Sequence, residues 1–439
     1  MDTKILKHLL LDDIKPNHLM DTKFLQNHLE LNLDYEPIPL ALGETWGRVP
    51  KRLTEYLGET EPYESGYQIS MYGLPSFRKS LKKHIFTTEK VSPQFGNEIE
   101  VGVTWSGTKS SMIDFGRYML DKTKKKNLTP IFLTTDPDWD YEGAFLPLGF
   151  KARKVLLDPK NNFVPSIEDF QQILKEIERN EQEFTSFIII NAQHNPTGNN
   201  WSEELVEGII QLSIQYQCGL LIDNAYYGST SDRNPTKTST LAILEKNWNI
   251  IVANGTEDLI FGVRSLGKQF HCNGWGIGAI WAAPRTLDKI VNEYRVIHTF
   301  NYNAIFQKAM EKWIESEDSK IYLENLYLEK KRKDDFLKNN FLEKLQYPID
   351  SLHVGEYCPY MIYEVPRKYQ RETDSLSKYI EDLFYTAGIL VTGCWSVPRT
   401  VSRDKLKEGH VKYVRMYTGV EEKVLQETLE RMVCKGFTY

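Results

Sequence analysis

Between residues 101 and 282, short apolar runs alternate with helical ones, and this alternation restricts the fold more than any other property of the chain. Residues 101–104, 131–134, 154–157, 187–191, 219–223, 250–253 and 277–282 read as strands. Residues 110–120, 167–179 and 203–216 between them space their apolar side chains for helices. Apolar strands separated by helical crossovers make an α/β domain with a mainly parallel central sheet.

The flanks differ. Ile5, Leu6, Leu9 and Leu10, then Leu25 and Leu29, form an amphipathic helical pattern broken at Pro16, an arm that packs on its own body or on a partner subunit. Residues 35–50 read as loop, short strand and a Gly/Pro turn, and a helix begins at Leu74 or Pro75. Beyond Asp288 a Lys/Glu-rich helical region runs to about Asn340, followed by a strand at 360–365, a helix at 374–387, a strand at 412–417 and a helix at 421–433. These outline a smaller α+β domain. The expected division is 1–80 as arm and part of the small domain, 81–310 as the large domain, and 311–439 as the small C-terminal domain.

At 439 residues the chain has material for two cores. A net charge of −6 argues against a nucleic-acid surface, which needs a basic face; the basic run 122–126 is a solvated helix end. The five cysteines show no CxxC pair and no metal-ligand spacing, so neither a disulfide framework nor a metal site is expected. No window holds the roughly 20 apolar residues of a membrane span, and the N-terminus lacks a secretory apolar core. A cytoplasmic location is the expectation.

Ligands of α/β sheets bind beyond the carboxyl ends of the strands. After residues 101–104 comes Ser106-Gly107-Thr108-Lys109, opening a helix whose first N–H groups suit a phosphate, although an ordinary Ser N-cap explains it as well. After 131–134 comes Pro137-Asp138-Trp139, where the indole could stack on a planar ring or simply pack. Asn195-Pro196-Thr197-Gly198 is a turn, or a turn that aims the Asn195 amide at a ligand oxygen. Asp223 stands at a strand tip with Tyr226 three residues on. Ser265-Leu266-Gly267-Lys268 puts a lysine beside small residues just before an apolar strand, a position for an amine that condenses with a carbonyl cofactor.

Taken in order, Tyr67 with Gly73-Leu74-Pro75-Ser76-Phe77-Arg78, Ser106-Gly107-Thr108, Pro137-Asp138-Trp139, Asn195-Pro196-Thr197-Gly198, Asp223-Asn224-Ala225-Tyr226, Ser265-Leu266-Gly267-Lys268 and Tyr413-Val414-Arg415 resemble the class I/II aminotransferase family, fold-type I enzymes that use pyridoxal phosphate. The matches span residues 40 to 420 or so. The resemblance implies that Lys268 forms an imine with the cofactor and then moves the substrate proton. Asp223 would keep the ring nitrogen protonated, Asn195 and Tyr226 would donate to the ring oxygen, and Trp139 would stack on the ring. Ser106, Gly107, Thr108, Lys109 and Ser265 would hold the phosphate. Arg415 would fork the substrate carboxylate, with Asn195, Trp46 and Gly47 nearby and Glu44 and Trp395 as further candidates. It also implies a homodimer in which Tyr67 reaches the neighbour's phosphate, with an amino acid and a keto acid as substrates.

Two departures stand out. Where the family has Gly-Trp-Arg-Ile-Gly, with the arginine on the phosphate, this chain has Gly274-Trp275-Gly276-Ile277-Gly278, and Gly267 replaces the usual serine before the lysine. Arg264 is the expected substitute for the missing arginine, ahead of Lys109, and Gly276→Arg is expected to rescue cofactor binding in part; the alternative is that neither residue substitutes and cofactor affinity is merely lower. Transamination is the leading reading; elimination or replacement, cyclisation or oxidase chemistry on the same scaffold is the alternative. A regulator with a helix-turn-helix is disfavoured because residues 1–35 are short and weakly basic, and a Rossmann dehydrogenase because Gly274-x-Gly276-x-Gly278 lies too late.

Overall fold

The computed structural model describes residues 3–10, 20–31, 33, 35–44, 46–123, 127–229, 237–370, 374–394 and 413–439. Trp395 and residues 124–126 of the basic run lie outside the described residues. The chain forms two compact units, one from Trp46–Asn195 and Asn199–Leu328, the other from Met1–Thr45, Pro196–Gly198 and Glu329–Tyr439.

The larger unit is built on a seven-stranded sheet of β1 (Glu100–Thr104), β2 (Thr129–Asp136), β3 (Lys151–Leu156), β4 (Glu183–Ile190), β5 (Gly219–Asp223), β6 (Ile260–Ser265) and β7 (Gly278–Ala282), in the order β1-β7-β6-β5-β4-β2-β3. The pairs β3/β2, β2/β4, β4/β5 and β5/β6 are parallel, whereas β7 runs antiparallel to both β1 and β6. Every strand except β7 therefore ends at the same edge, which is where the candidate residues follow. β5 (GLLID) is buried at all of its positions, as a central parallel strand covered on both faces must be.

Three helices bear on the site: α1 (Pro75–Thr88), α2 (Gly107–Lys122) and α3 (Ala304–Glu315). Met112, Phe115 and Met119 of α2 pack on Phe187, Phe261 and Val263 of the sheet, with Phe115 stacked on Phe261 at 5.2 Å. The α1 start is pinned to α3, because Gln307 Oε1 accepts from Leu74 N at 2.8 Å and Ser76 Oγ donates to Glu311 Oε2 at 3.0 Å. This pairing explains why residues 46–80 and 311–328 belong to the larger unit rather than the smaller one.

The expected strand at 250–253 is instead the last turn of the helix Thr240–Ala253. Ile251 is buried while Ile250 and Val252 are 49% and 45% exposed, a one-sided burial that a central strand could not keep. The strand beside β5 is β6, whose Gly262 leaves room for the Trp281 ring where no Cβ would fit.

The smaller unit carries an antiparallel sheet of β8 (Leu352–Val354), β9 (Tyr360–Glu364), β10 (Thr392–Gly393) and β11 (Tyr413–Tyr417), ordered β10-β11-β9-β8. Met361, Tyr363, Val414 and Met416 meet Leu383 and Phe384 of the helix Ser375–Ala387 and Leu425 of the helix Glu422–Cys434. Leu6, Phe24 and Leu25 sit in this same core, so the N-terminal arm covers its own unit. No helix among the described residues is long and apolar enough to cross a membrane.

Candidate active site

The carboxyl edge of the large sheet gathers the candidates. β1 leads to Ser106 and Gly107, β2 to Trp139, β4 to Asn195, β5 ends on Asp223, and β6 ends on Ser265 with Lys268 a turn further.

Asp223 is 4% exposed. Tyr141 Oη donates to its Oδ2 at 2.7 Å and Ala225 N to its Oδ1 at 3.0 Å. Burial pushes this carboxyl up from its ordinary range, and these two donors pull it back; among the described residues no cation contributes. Asn191 Nδ2 donates to the Asp223 carbonyl at 2.6 Å, and its Oδ1 accepts from Asn195 N at 2.7 Å. One asparagine therefore ties the end of β4 to that of β5. Asn195 and Tyr226 are buried beside this edge.

Lys268 is half-buried in the short helix Leu266–Phe270. Ser265 caps this helix, its Oγ accepting from Lys268 N at 3.2 Å, which leaves the hydroxyl proton to donate elsewhere. At the start of α2, Ser106 does not cap; its Oγ faces Ser110 Oγ at 3.0 Å. The first-turn N–H groups of Thr108 and Lys109 thus lack a side-chain cap, and a Cβ built on Gly107 (φ +79°) would meet nothing within 4 Å.

Trp139 is half-buried, edge-on to Tyr141 at 5.3 Å, with Lys109 Nζ 5.3 Å from its ring. The Lys109 ammonium is paired with Asp140 at 2.9 Å, so this residue offers the site its backbone N–H rather than its charge. Asp138, next to Trp139, has a partner absent from the expected set, Lys154. Lys154 Nζ stands 3.4 Å from Asp138 Oδ1 and 3.7 Å from Glu142 Oε1. Burial pushes Asp138 up to about 7 and Asp136 up to about 6.

Arg264 requires a correction. Its side chain is fully buried, with Nη1 3.7 Å from Glu89 Oε1 and donating to Thr88 Oγ1 at 2.8 Å, and its guanidinium lies 5.2 Å from the Tyr227 ring. A guanidinium committed to a buried carboxylate is not the substitute for the missing phosphate arginine. Nor does Gly276 await one. It adopts φ +64°, and a Cβ there would lie 2.7 Å from Trp105 O. Gly107 N donates to Gly276 O at 2.9 Å, so the two loops are pressed together at the start of α2.

Tyr67 is 75% exposed, its ring 5.5 Å from that of Phe300. Trp46 is exposed and Gly47 has φ +84°. In the smaller unit, Arg415 Nη2 donates to Ala41 O at 2.9 Å and the guanidinium lies 4.8 Å from the Tyr360 ring.

The family model for aminotransferase class I and II matches residues 66–398. The chain belongs to the class I and II aminotransferase family. An aspartate aminotransferase of Pyrococcus abyssi is 21% identical over 58% of this chain and 59% of its own length. An LL-diaminopimelate aminotransferase of Halothermothrix orenii is 27% identical over 69% of this chain and 68% of its own. The chain thus spans about three fifths to two thirds of these relatives. Among solved structures, Bna3p of Saccharomyces cerevisiae superposes with a TM-score of 0.76 at 17% identity, covering 99% of both chains. Aspartate aminotransferase of Thermus thermophilus with maleate gives 0.72 at 17% identity, covering 97% of this chain and 98% of that one. These structures share the fold.

Enzymes of this aminotransferase family depend on pyridoxal phosphate, and three features fit that group. The uncapped start of α2 offers N–H donors to a phosphate. Asp223 is a buried carboxylate to which no cation among the described residues contributes, as a protonated ring nitrogen would. Lys268 stands one turn past the neighbouring strand.

Proposed function

We propose that this family member is an aminotransferase that moves an amino group from an L-α-amino acid to a 2-keto acid with pyridoxal phosphate. The carrying observation is the pairing of a buried carboxylate, Asp223, at the end of β5 with Lys268 just beyond the adjacent β6. When bound, the cofactor supplies an electron sink for the charge left at the substrate Cα.

Asp223 would hold the ring nitrogen's proton, steadied by Tyr141 Oη. Asn195 and Tyr226 would donate to the ring oxygen, and Trp139 would cover a ring face. The Ser265 hydroxyl, Ser106 and the N–H groups of Thr108 and Lys109 would hold the phosphate, with Gly107, whose own N–H is bonded to Gly276 O, leaving room for it. Lys268 would take the proton from the substrate Cα as general base and deliver it as general acid to the cofactor's aldehyde carbon. Arg415 would bind the substrate carboxylate with a two-pronged guanidinium, and Trp46 and Gly47 would line the side-chain end. A homodimer is part of the proposal, supported by the exposed apolar group Tyr67, Ile69, Ile297 and Phe300 of the larger unit, and a cytoplasmic location is the expected setting.

A second reading is a different amino-acid reaction on the same scaffold, and the departures at Gly267 and Gly276 favour it. Product analysis with aspartate, LL-diaminopimelate and aromatic amino acids, each with and without 2-oxoglutarate, separates the two. Glutamate formed from the keto acid supports transfer; ammonia, peroxide or a cyclised product supports the second reading. Borohydride reduction and peptide mapping should place the cofactor on Lys268, and a label on another lysine overturns the assignment.

A further inference from the structure

Asn303 stands at the N-cap of α3, a position where an asparagine side chain ordinarily accepts from the next N–H groups of its own helix. Here it makes no such bond. Its Nδ2 donates instead to Trp275 O at 2.9 Å and approaches Trp105 O at 3.5 Å. The amide orientation is forced, because only the NH₂ end can face two carbonyls. The side chain is 7% exposed, and its Oδ1 is buried without a hydrogen-bond partner. Both the local cap and one polar atom are thus given up to reach those two carbonyls, and a buried unsatisfied group in a native fold usually marks a requirement met elsewhere.

The two carbonyls belong to the two loops that shape the α2 start. Trp105 precedes Ser106 and Gly107, and Trp275 precedes Gly276. Gly276 O in turn accepts from Gly107 N at 2.9 Å. Trp105 is itself fixed, its Nε1 donating to Thr299 Oγ1 at 3.3 Å with the Arg295 guanidinium 5.1 Å from its ring. Trp275 packs on Phe306 of α3 with ring centroids 4.8 Å apart.

We infer that Asn303 is a positioning residue for the cofactor phosphate. It clamps the Gly276 loop to the Ser106-Gly107 turn, so that the N–H groups opening α2 are preorganised for an anion where the family's arginine is missing. It acts through backbone carbonyls and does not touch the phosphate. The inference rests on the pyridoxal-phosphate reading above and concerns how this chain compensates for Gly276.

The test compares two ligands that differ only in the phosphate. Dissociation constants for pyridoxal phosphate and for pyridoxal are measured by absorbance titration of the full-length wild type, Asn303→Ala and Asn303→Ser. Serine can cap α3 but is too short to span both carbonyls, so it separates loss of the clamp from loss of the helix start. The ratio of pyridoxal to pyridoxal-phosphate dissociation constants should fall about tenfold in both variants, mainly through weaker binding of the phosphorylated ligand. An unchanged ratio, including equal weakening of both ligands, overturns the positioning role. A wild type that binds neither ligand overturns the cofactor reading itself. If the alanine variant fails to fold, the serine variant alone decides.

Discussion

Tyr141 donates its phenol to Asp223 Oδ2 at 2.7 Å and thereby joins the segment after β2 to the tip of β5. The bond favours the ionised carboxylate and opposes the burial that pushes the carboxyl up. Because the folded-state value is raised, Asp223 adds stability to the cofactor-free protein at low pH and loses it as pH rises through that value. Tyr141→Phe removes a hydrogen bond to a charged group, worth about 1.5–3 kcal/mol. Urea unfolding of the cofactor-free protein should show this loss once the pH lies above the raised folded-state value of Asp223, and a smaller one below about pH 4, where Asp223 is protonated in both states. An equal loss at both pH values would show that the phenol acts by packing.

The Lys154 cluster should be visible in the pH dependence of stability. Asp138 is pushed up to about 7 and Asp136 to about 6 by burial, against roughly 3.9 when unfolded. The folded protein then holds more protons than the unfolded chain between these values, so stability falls as pH rises across that window, by up to about 1.4 kcal/mol per pH unit for each proton. In Asp138→Asn the decline should be shallower and end nearer pH 6. Denaturant midpoints at several pH values check this, and a slope identical to wild type removes Asp138 from the account.

Arg264→Ala takes the guanidinium from the buried Glu89 and leaves it the Ser239 and Asn224 donors; breaking a buried pair in this way costs about 3–5 kcal/mol. The expected phenotype is a large drop in the unfolding midpoint, with the pyridoxal-phosphate dissociation constant of the folded fraction close to wild type. A stable variant with greatly weakened cofactor binding would return Arg264 to the phosphate.

Gly276→Arg should not improve cofactor affinity. A side chain at φ +64° costs about 1–3 kcal/mol, and its Cβ would press on the Trp105 carbonyl, which is backbone and cannot swing aside. A lower melting temperature with no gain in affinity is the expected result; tighter binding would show that the two loops can separate.

Much of this site was legible because its residues follow strand ends in order. Asp223, Asn195, Ser265 and Lys268 each stand in a short motif, and a strand that stops at the sheet edge delivers what comes next to that edge. Ile250–Ala253 misled because four apolar residues fit a helical turn as readily as a strand, and they continue the helix that begins at Thr240. Tyr141 was within reach, two residues past Trp139. Asn191, Glu89, Lys154 and Asn303 were not, since each works through a partner far away in the chain. Arg264 was misassigned for the opposite reason: adjacency to Ser265 suggested a shared target, but neighbours along a strand point to opposite faces.

Asp223 lies directly across the β5–β6 ladder from Val263, and Asn224 N donates to Val263 O at 2.9 Å. The spacing between the acid and the lysine-bearing turn is therefore a backbone dimension, about 4.8 Å from strand to strand, and not a product of side-chain packing. The sheet works as a ruler. A single deletion inside residues 219–223 would turn Asp223 to the opposite face and, because every position of this strand is buried, would damage the fold along with the site.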